Sequence, residues 1–126
     1  MKKVIHTASA PAAIGPYSQA ILANGFLYTS GQIAIDPATG ELDMENIEHE
    51  TSRVMLNLKE VLAAAEMDFS NVIKTTIYLS DMAYYAQVNA VYAEFFDDAP
   101  PAREAVQVAG LPKGVNVEIS VVASKN

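Results

Sequence analysis

The sequence predicts an α+β fold in the order β-β-β-α-β-α-β-β, a mixed sheet with two helices on one face. Three observations lead there. Two stretches repeat apolar residues at three- and four-residue steps, the period of an amphipathic helix. Short runs rich in β-branched residues alternate with them. Turn signals such as Asn24-Gly25 and Asp36-Pro37-Ala38-Thr39-Gly40 separate the runs.

Lys3 to His6 reads as a short edge strand. Tyr17 to Ala23 and Gly25 to Ile35 read as a hairpin turning at Asn24-Gly25. The clearest helix covers Ile47 to Glu66, with Ile47, Thr51, Val54, Leu58, Val61, Leu62 and Ala65 on one side. Arg53 and several glutamates, among them Glu48, Glu50 and Glu60, fill the side expected to face water. Ile73 to Leu79 is a strand. Ser80-Asp81 offers N-caps for a second helix from about Met82 to Phe96, with Tyr85, Val88, Tyr92, Phe95 and Phe96 as its stripe. Ala102 to Ala109 and Val115 to Ala123 are the last strands, joined by Gly110-Leu111-Pro112-Lys113-Gly114.

The 126 residues suit one domain, residues 1–126, and a chain of this length buries roughly two-thirds of its unfolded surface. Two helices are too few to cover both sheet faces. An apolar face left open, on Val117, Ile119 and Val121 or their neighbours, invites self-association. The chain has no cysteine, which removes disulfides, thiolate metal sites and a cysteine nucleophile together and fits a cytoplasmic protein. Met1 to His6 leads into no long apolar run, so neither a signal peptide nor a membrane span is expected. The formal charge of −7 disfavours nucleic acid as a partner.

Arg103 is the most informative residue. It enters a strand behind Pro100-Pro101, and the only other arginine is Arg53. A guanidinium stays charged, so burying it calls for an anion, and its planar fork fits a carboxylate with two parallel hydrogen bonds. The sequence leaves two partners open: an internal Asp or Glu, or a small carboxylate ligand. Glu118 shares strand parity with Asn116 and Ser120, opposite Val117, Ile119 and Val121. It is either a solvated outer-face side chain or a carboxylate that orients and activates water. If Gly110 to Gly114 is a hairpin loop, Ala109 pairs with Val115 and Arg103 with Val121. Arg103 and Glu118 then differ in parity, and only a bulge, an offset between the strands or a second subunit joins them.

Gly15-Pro16-Tyr17-Ser18-Gln19-Ala20 is a rigid turn before a strand, where Tyr17 either packs on the core or offers its hydroxyl to a substrate. Ser30-Gly31-Gln32 reads as a strand interruption, either a plain bulge or a place where backbone meets a ligand. His6 and His49 lack a second ligand at metal spacing, and neither a Ser-His-Asp order nor a phosphate loop stands out. Asn89, inside the second helix's stripe, needs a hydrogen-bond partner if buried, and a loop is the expected one.

Seven segments in order resemble the Rid family, the reactive intermediate deaminases, also called YjgF proteins. They are Gly15 to Ala20, Ser30 to Ile33, Asp36 to Glu41, Val72 to Thr76, Val88 to Tyr92, Pro101 to Arg103, and Leu111 to Gly114 followed by Val117-Glu118-Ile119. The resemblance implies a chorismate-mutase-like fold and a homotrimer with clefts between subunits. It implies hydrolysis of 2-imino acids such as 2-iminobutanoate and 2-iminopropanoate, or their enamines, to 2-keto acids and ammonia, which protects pyridoxal-phosphate enzymes. The residue matching Arg103 would grip the substrate carboxylate, that matching Glu118 would position water, and Tyr17, Ser30 and Gly31 would line the cleft. No metal or organic cofactor is implied.

The chain departs from the family pattern in four places. Glu104 stands where Ser, Thr or Ala is common, and should point away from Arg103. Ala105 stands where Cys is frequent, and by parity with Arg103 is expected to shape the cleft. Glu50 and Glu66 stand where Gln and Gly are common, and read as surface or loop changes. A non-catalytic binder of keto or amino acids is the alternative function, and RNA cleavage a third.

Overall fold

The computed structural model describes residues 1–126. Strand β1 (Lys2–Ile5) pairs with β2 (Ala20–Ala23), which turns into β3 (Phe26–Thr29). Helix α1 (Ile47–Ala64), strand β4 (Val72–Leu79), helix α2 (Tyr85–Ala93), strand β5 (Ala102–Gln107) and strand β6 (Val117–Ser124) follow. They form one six-stranded sheet in the order β1-β2-β3-β6-β4-β5, antiparallel except where β4 and β5 run parallel. The predicted order of elements and the mixed sheet hold.

Local chemistry explains the boundaries. Asn24 (φ 54°) and Gly25 (φ 80°) adopt the left-handed backbone of a tight hairpin turn. The hairpin is shorter than expected, because the chain leaves the ladder after Thr29 and only Gln32 returns to bridge Ile119. The Asn46 side chain caps α1 by accepting from the His49 N–H at 2.8 Å. Asp81 caps a short 3₁₀ turn, Met82–Tyr84, that precedes the shorter-than-expected α2. Glu66, just past α1, sits at φ 60°, a left-handed position that favours glycine.

The core lies between the helices and one face of the sheet. Val54, Leu58 and Leu62 of α1 and Val88 and Tyr92 of α2 share a buried cluster with Leu27, Ile77, Val117, Ile119 and Val121. Strand β6 alternates strictly, so Val117, Ile119 and Val121 lie under the helices rather than on the open face, which their neighbours occupy. The open face carries Val4, Ile21, Tyr28 and Val122 in one register row, with Val4 56 % and Tyr28 51 % exposed. No helix is long and apolar enough to cross a membrane.

Two helix residues expected in water are not there. Glu50 is 1 % exposed, and its carboxylate accepts from the N–H groups of Asn116 (2.8 Å) and Val117 (3.0 Å) and from the Asn116 side chain (3.1 Å). It ties the first turn of α1 to the start of β6. Arg53 is partly buried and donates Nε–H to Asp43 at 3.0 Å, while His49 Nε2 lies 2.5 Å from the other Asp43 oxygen. Burial opposes the charge on Asp43, but the hydrogen bonds and charges of Arg53 and His49 outweigh it and hold its pKa below the ordinary 3.8. A carboxyl with a lowered folded pKa adds stability above its unfolded pKa, and that stability is lost as pH falls through the folded value. Asp43→Asn is expected to cost about 0.5–1 kcal/mol at pH 7. In urea titrations across pH, the difference from the wild type should shrink progressively below pH 3.8.

Candidate functional site

Strand β6 and the irregular Ser30–Gln32 segment build one wall of a cleft of about 340 Å³, and Tyr17 and Pro112 rim it. The Gln32 N–H donates to the Ile119 carbonyl (2.8 Å) and the Ile119 N–H returns the bond (3.1 Å), which lays Gly31 against Glu118. A side chain at Gly31 would collide there: an added Cβ would stand 2.7 Å from Glu118 Cδ. The obstacle is the Glu118 side chain alone, so glycine here keeps that carboxylate in place, with no positive φ involved. The Ser30 hydroxyl donates to the Ser18 carbonyl (2.6 Å) and its N–H to the Gln19 carbonyl (2.9 Å). Tyr17 is 47 % exposed, and its hydroxyl accepts weakly from the Ile14 N–H at 3.3 Å.

Glu118 is half-buried and forms no ion pair. Burial pushes its carboxyl above the ordinary 4.5. The raised pKa makes the carboxylate a stronger base toward a water molecule.

Arg103 lies elsewhere. Its Nη1 donates to Asn89 Oδ1 (2.6 Å) and its Nη2 to the Tyr85 hydroxyl (2.8 Å), both on α2. The guanidinium carbon stands 5.5 Å and 5.1 Å from the ring centres of Tyr85 and Tyr92. No carboxylate pairs with it: the ion pairs of the chain are His49–Asp43, Arg53–Asp43 and Lys74–Glu104. Glu104 points away, as parity predicts, and meets Lys74 at 2.5 Å. The hydrogen bond with Asn89, then the Arg103 charge, holds the Tyr85 hydroxyl below its ordinary pKa of 10.0.

The hairpin arithmetic needs correction. Strands β5 and β6 are not partners, because β4 runs between them. Thr75 is in register with Arg103 and Tyr78 with Glu118, and residues three apart on one strand face opposite sides. The single register shift in β4 lies between Val72 and Lys74, outside this stretch. Arg103 therefore faces the helices and Glu118 the open side. One chain brings Tyr17, Ser30, Gly31 and Glu118 together but leaves Arg103 at a second recess with Asn89, Tyr92, Pro100 and Pro101. Ala105, in register with Ile77, packs on the core and lines neither recess.

Tyr85 and the Arg103-holding role of Asn89 escaped the sequence reading. The available signal was their spacing: residues four apart share a helix face, and both carry polar tips within an apolar stripe. Gln19 was missed too. It is 3 % exposed, and its amide bonds Thr7 N–H and the carbonyls of Thr7 and Pro11, pinning the N-terminal loop beside the cleft. No group of three or more His, Asp or Glu side chains is arranged to hold a metal ion.

The family model described as Endoribonuclease L-PSP matches residues 7–125. The chain belongs to this family, the YjgF/Rid proteins. A Bos taurus relative named 2-iminobutanoate/2-iminopropanoate deaminase is 48 % identical over 98 % of this chain and 90 % of its own. A solved Yersinia pestis protein described as of the conserved Rid protein family has a TM-score of 0.96 and 48 % identity, covering 98 % of this chain and 99 % of that one. E. coli TdcF, solved with bound serine, has a TM-score of 0.94 and 38 % identity over 98 % and 99 % of the two chains. The Rid fold is thus shared across nearly the whole chain.

In this Rid chain, Gly31→Ala should push the Glu118 carboxylate out of its place and into water, with little change in thermal stability, because only that side chain has to move. The Glu118 pKa should then fall back toward 4.5, as read from its side-chain carboxyl carbon by NMR titration.

Proposed function

We propose that the protein hydrolyses 2-imino acids, 2-iminobutanoate and 2-iminopropanoate among them, or their enamine tautomers, to 2-keto acids and ammonia. The observation that carries this reading is Arg103: a half-buried guanidinium held by neutral oxygens, with no carboxylate of its own chain against it. Such a group suits a small carboxylate ligand. The name of the Bos taurus relative supplies the chemical class.

The site is read as composite. Arg103 of one subunit would meet the cleft of Tyr17, Ser30, Gly31 and Glu118 on its neighbour, in a homotrimer packed through the apolar open face. Ala105 would stay outside the cleft, since it packs on the core. The two recesses on opposite faces of one sheet, and the exposed Val4 and Tyr28, support this arrangement. Arg103 would hold the carboxylate and orient the C=N carbon. Glu118 would take a proton from water as its oxygen adds to that carbon. From the protonated imine this gives a carbinolamine; the Glu118 proton would then pass to its amine nitrogen, the C–N bond would break to release ammonia, and the hydroxyl would return its proton to the Glu118 carboxylate as the C=O forms. Clearing free enamines would protect pyridoxal-phosphate enzymes, a role suited to the cytoplasm.

A second reading, a non-catalytic binder of keto or amino acids, is favoured by the serine bound to TdcF. RNA cleavage, which the family description suggests, fits poorly with a net charge of −7. In a coupled threonine dehydratase assay the wild type should accelerate ammonia release, and Arg103→Ala should abolish the acceleration while light scattering shows an unchanged assembly. Glu118→Gln should still bind 2-oxobutanoate but lose turnover. Full activity in both variants would exclude the deaminase site as drawn.

A further inference from the structure

We propose that Asn89 and Tyr85 are positioning residues that hold Arg103 through neutral oxygens alone, and that the neutrality of Asn89 sets how tightly the site takes a substrate carboxylate. This rests on Arg103 being the carboxylate clamp.

The bonds to Asn89 Oδ1 and the Tyr85 hydroxyl use one N–H on each Nη, which leaves further N–H groups of the fork for a ligand. The two residues stand one turn apart on α2, so a single rigid element fixes both contacts. Beneath them lie the buried hydroxyls of Thr75, in register with Arg103, and of Tyr92. They are neutral as well. Asp97 lines the same recess but forms no ion pair with Arg103. Every oxygen that bonds Arg103 is uncharged, so its orientation is fixed while its charge is left for the ligand. Asp has the shape of Asn and the same acceptor atom. At position 89 it would keep the hydrogen bond, strengthen it with charge and neutralise the guanidinium from within. A substrate carboxylate would then compete with a permanent internal anion.

The test measures kcat and KM in the coupled dehydratase assay for the full chain and for Asn89→Asp, Asn89→Ala, Tyr85→Phe and Arg103→Ala. Pyruvate titrated calorimetrically serves as the carboxylate probe, and thermal unfolding follows the fold. Asn89→Asp is expected to raise KM and weaken pyruvate binding roughly 10- to 100-fold, with kcat less affected. Asn89→Ala should do so by a smaller factor, and Tyr85→Phe by only a few-fold. A merely structural hydrogen bond gives the reverse order, with Asp better than Ala, and that order overturns the proposal. If Asn89→Asp does not fold, unchanged KM in both Asn89→Ala and Tyr85→Phe overturns it. Full activity of Arg103→Ala overturns the clamp itself, and the proposal falls with it. Loss in Arg103→Ala together with wild-type behaviour of Asn89→Asp overturns this proposal alone.

Discussion

The buried Glu50 carboxylate decides where β6 begins, and β6 joins the two halves of the sheet. Its two backbone hydrogen bonds satisfy the N–H groups of Asn116 and Val117 at the point where the chain enters the core. Leaving a buried N–H unpaired costs about 1–3 kcal/mol, so the anchor is worth more than its distances suggest. The Ser80 hydroxyl bonds Asn116 Oδ1, and the Ser80 N–H bonds the Asn116 carbonyl, which extends the tie to the end of β4. Once Val117 is fixed, strict alternation fixes the rest. Ile119 and Val121 go under the helices, and Glu118 goes to the open side against Gly31. A side chain that serves only the fold thereby determines where the candidate water-activating carboxylate stands.

The same alternation separates Arg103 from Glu118. Strand β4 lies between their strands, and its regular register from Thr75 to Leu79 sends the two side chains to opposite faces. Each is half-buried, each is charged, and neither has a counter-ion in its own chain. A ligand that used both would need them in one cleft. The geometry of one sheet forbids that within a chain, and an apolar open face is the feature that would draw chains together. This is the physical basis for reading the site as shared between subunits.

Much of this was legible in the sequence because it depends on local chemistry. The period of α1, the Asn24–Gly25 turn, the cap at Asp81 and the alternation of β6 are each set within a few residues. What was not legible depends on partners distant in the chain. Gly110 to Gly114 reads as a hairpin loop, with Lys113 (φ 56°) and Gly114 (φ 69°) in left-handed backbone, but it spans β4 instead of joining neighbours. The parallel pairing of β4 with β5 across α2 follows from packing, which sequence adjacency does not reveal. Glu50 looked solvated because it stands among other charges on a helix. Only the fold shows that its side of the first turn faces the end of a strand.

Arg103 shows most clearly how tertiary placement shapes the proposed site. The chain carries 15 acidic residues and 8 basic ones, so a free cation in it is far more easily neutralised than preserved. The acid nearest in sequence, Glu104, is turned to the other face by parity and held by Lys74. The helix opposite presents an amide and two tyrosines, groups that bond or stack with a guanidinium without cancelling its charge. Pro100 and Pro101, just before the strand, line the same recess. Keeping one arginine unpaired in an acidic chain therefore takes a strand parity, a competing lysine and a neutral helix face acting together. That combination is hard to account for by folding alone and simple to account for if the missing anion is a ligand.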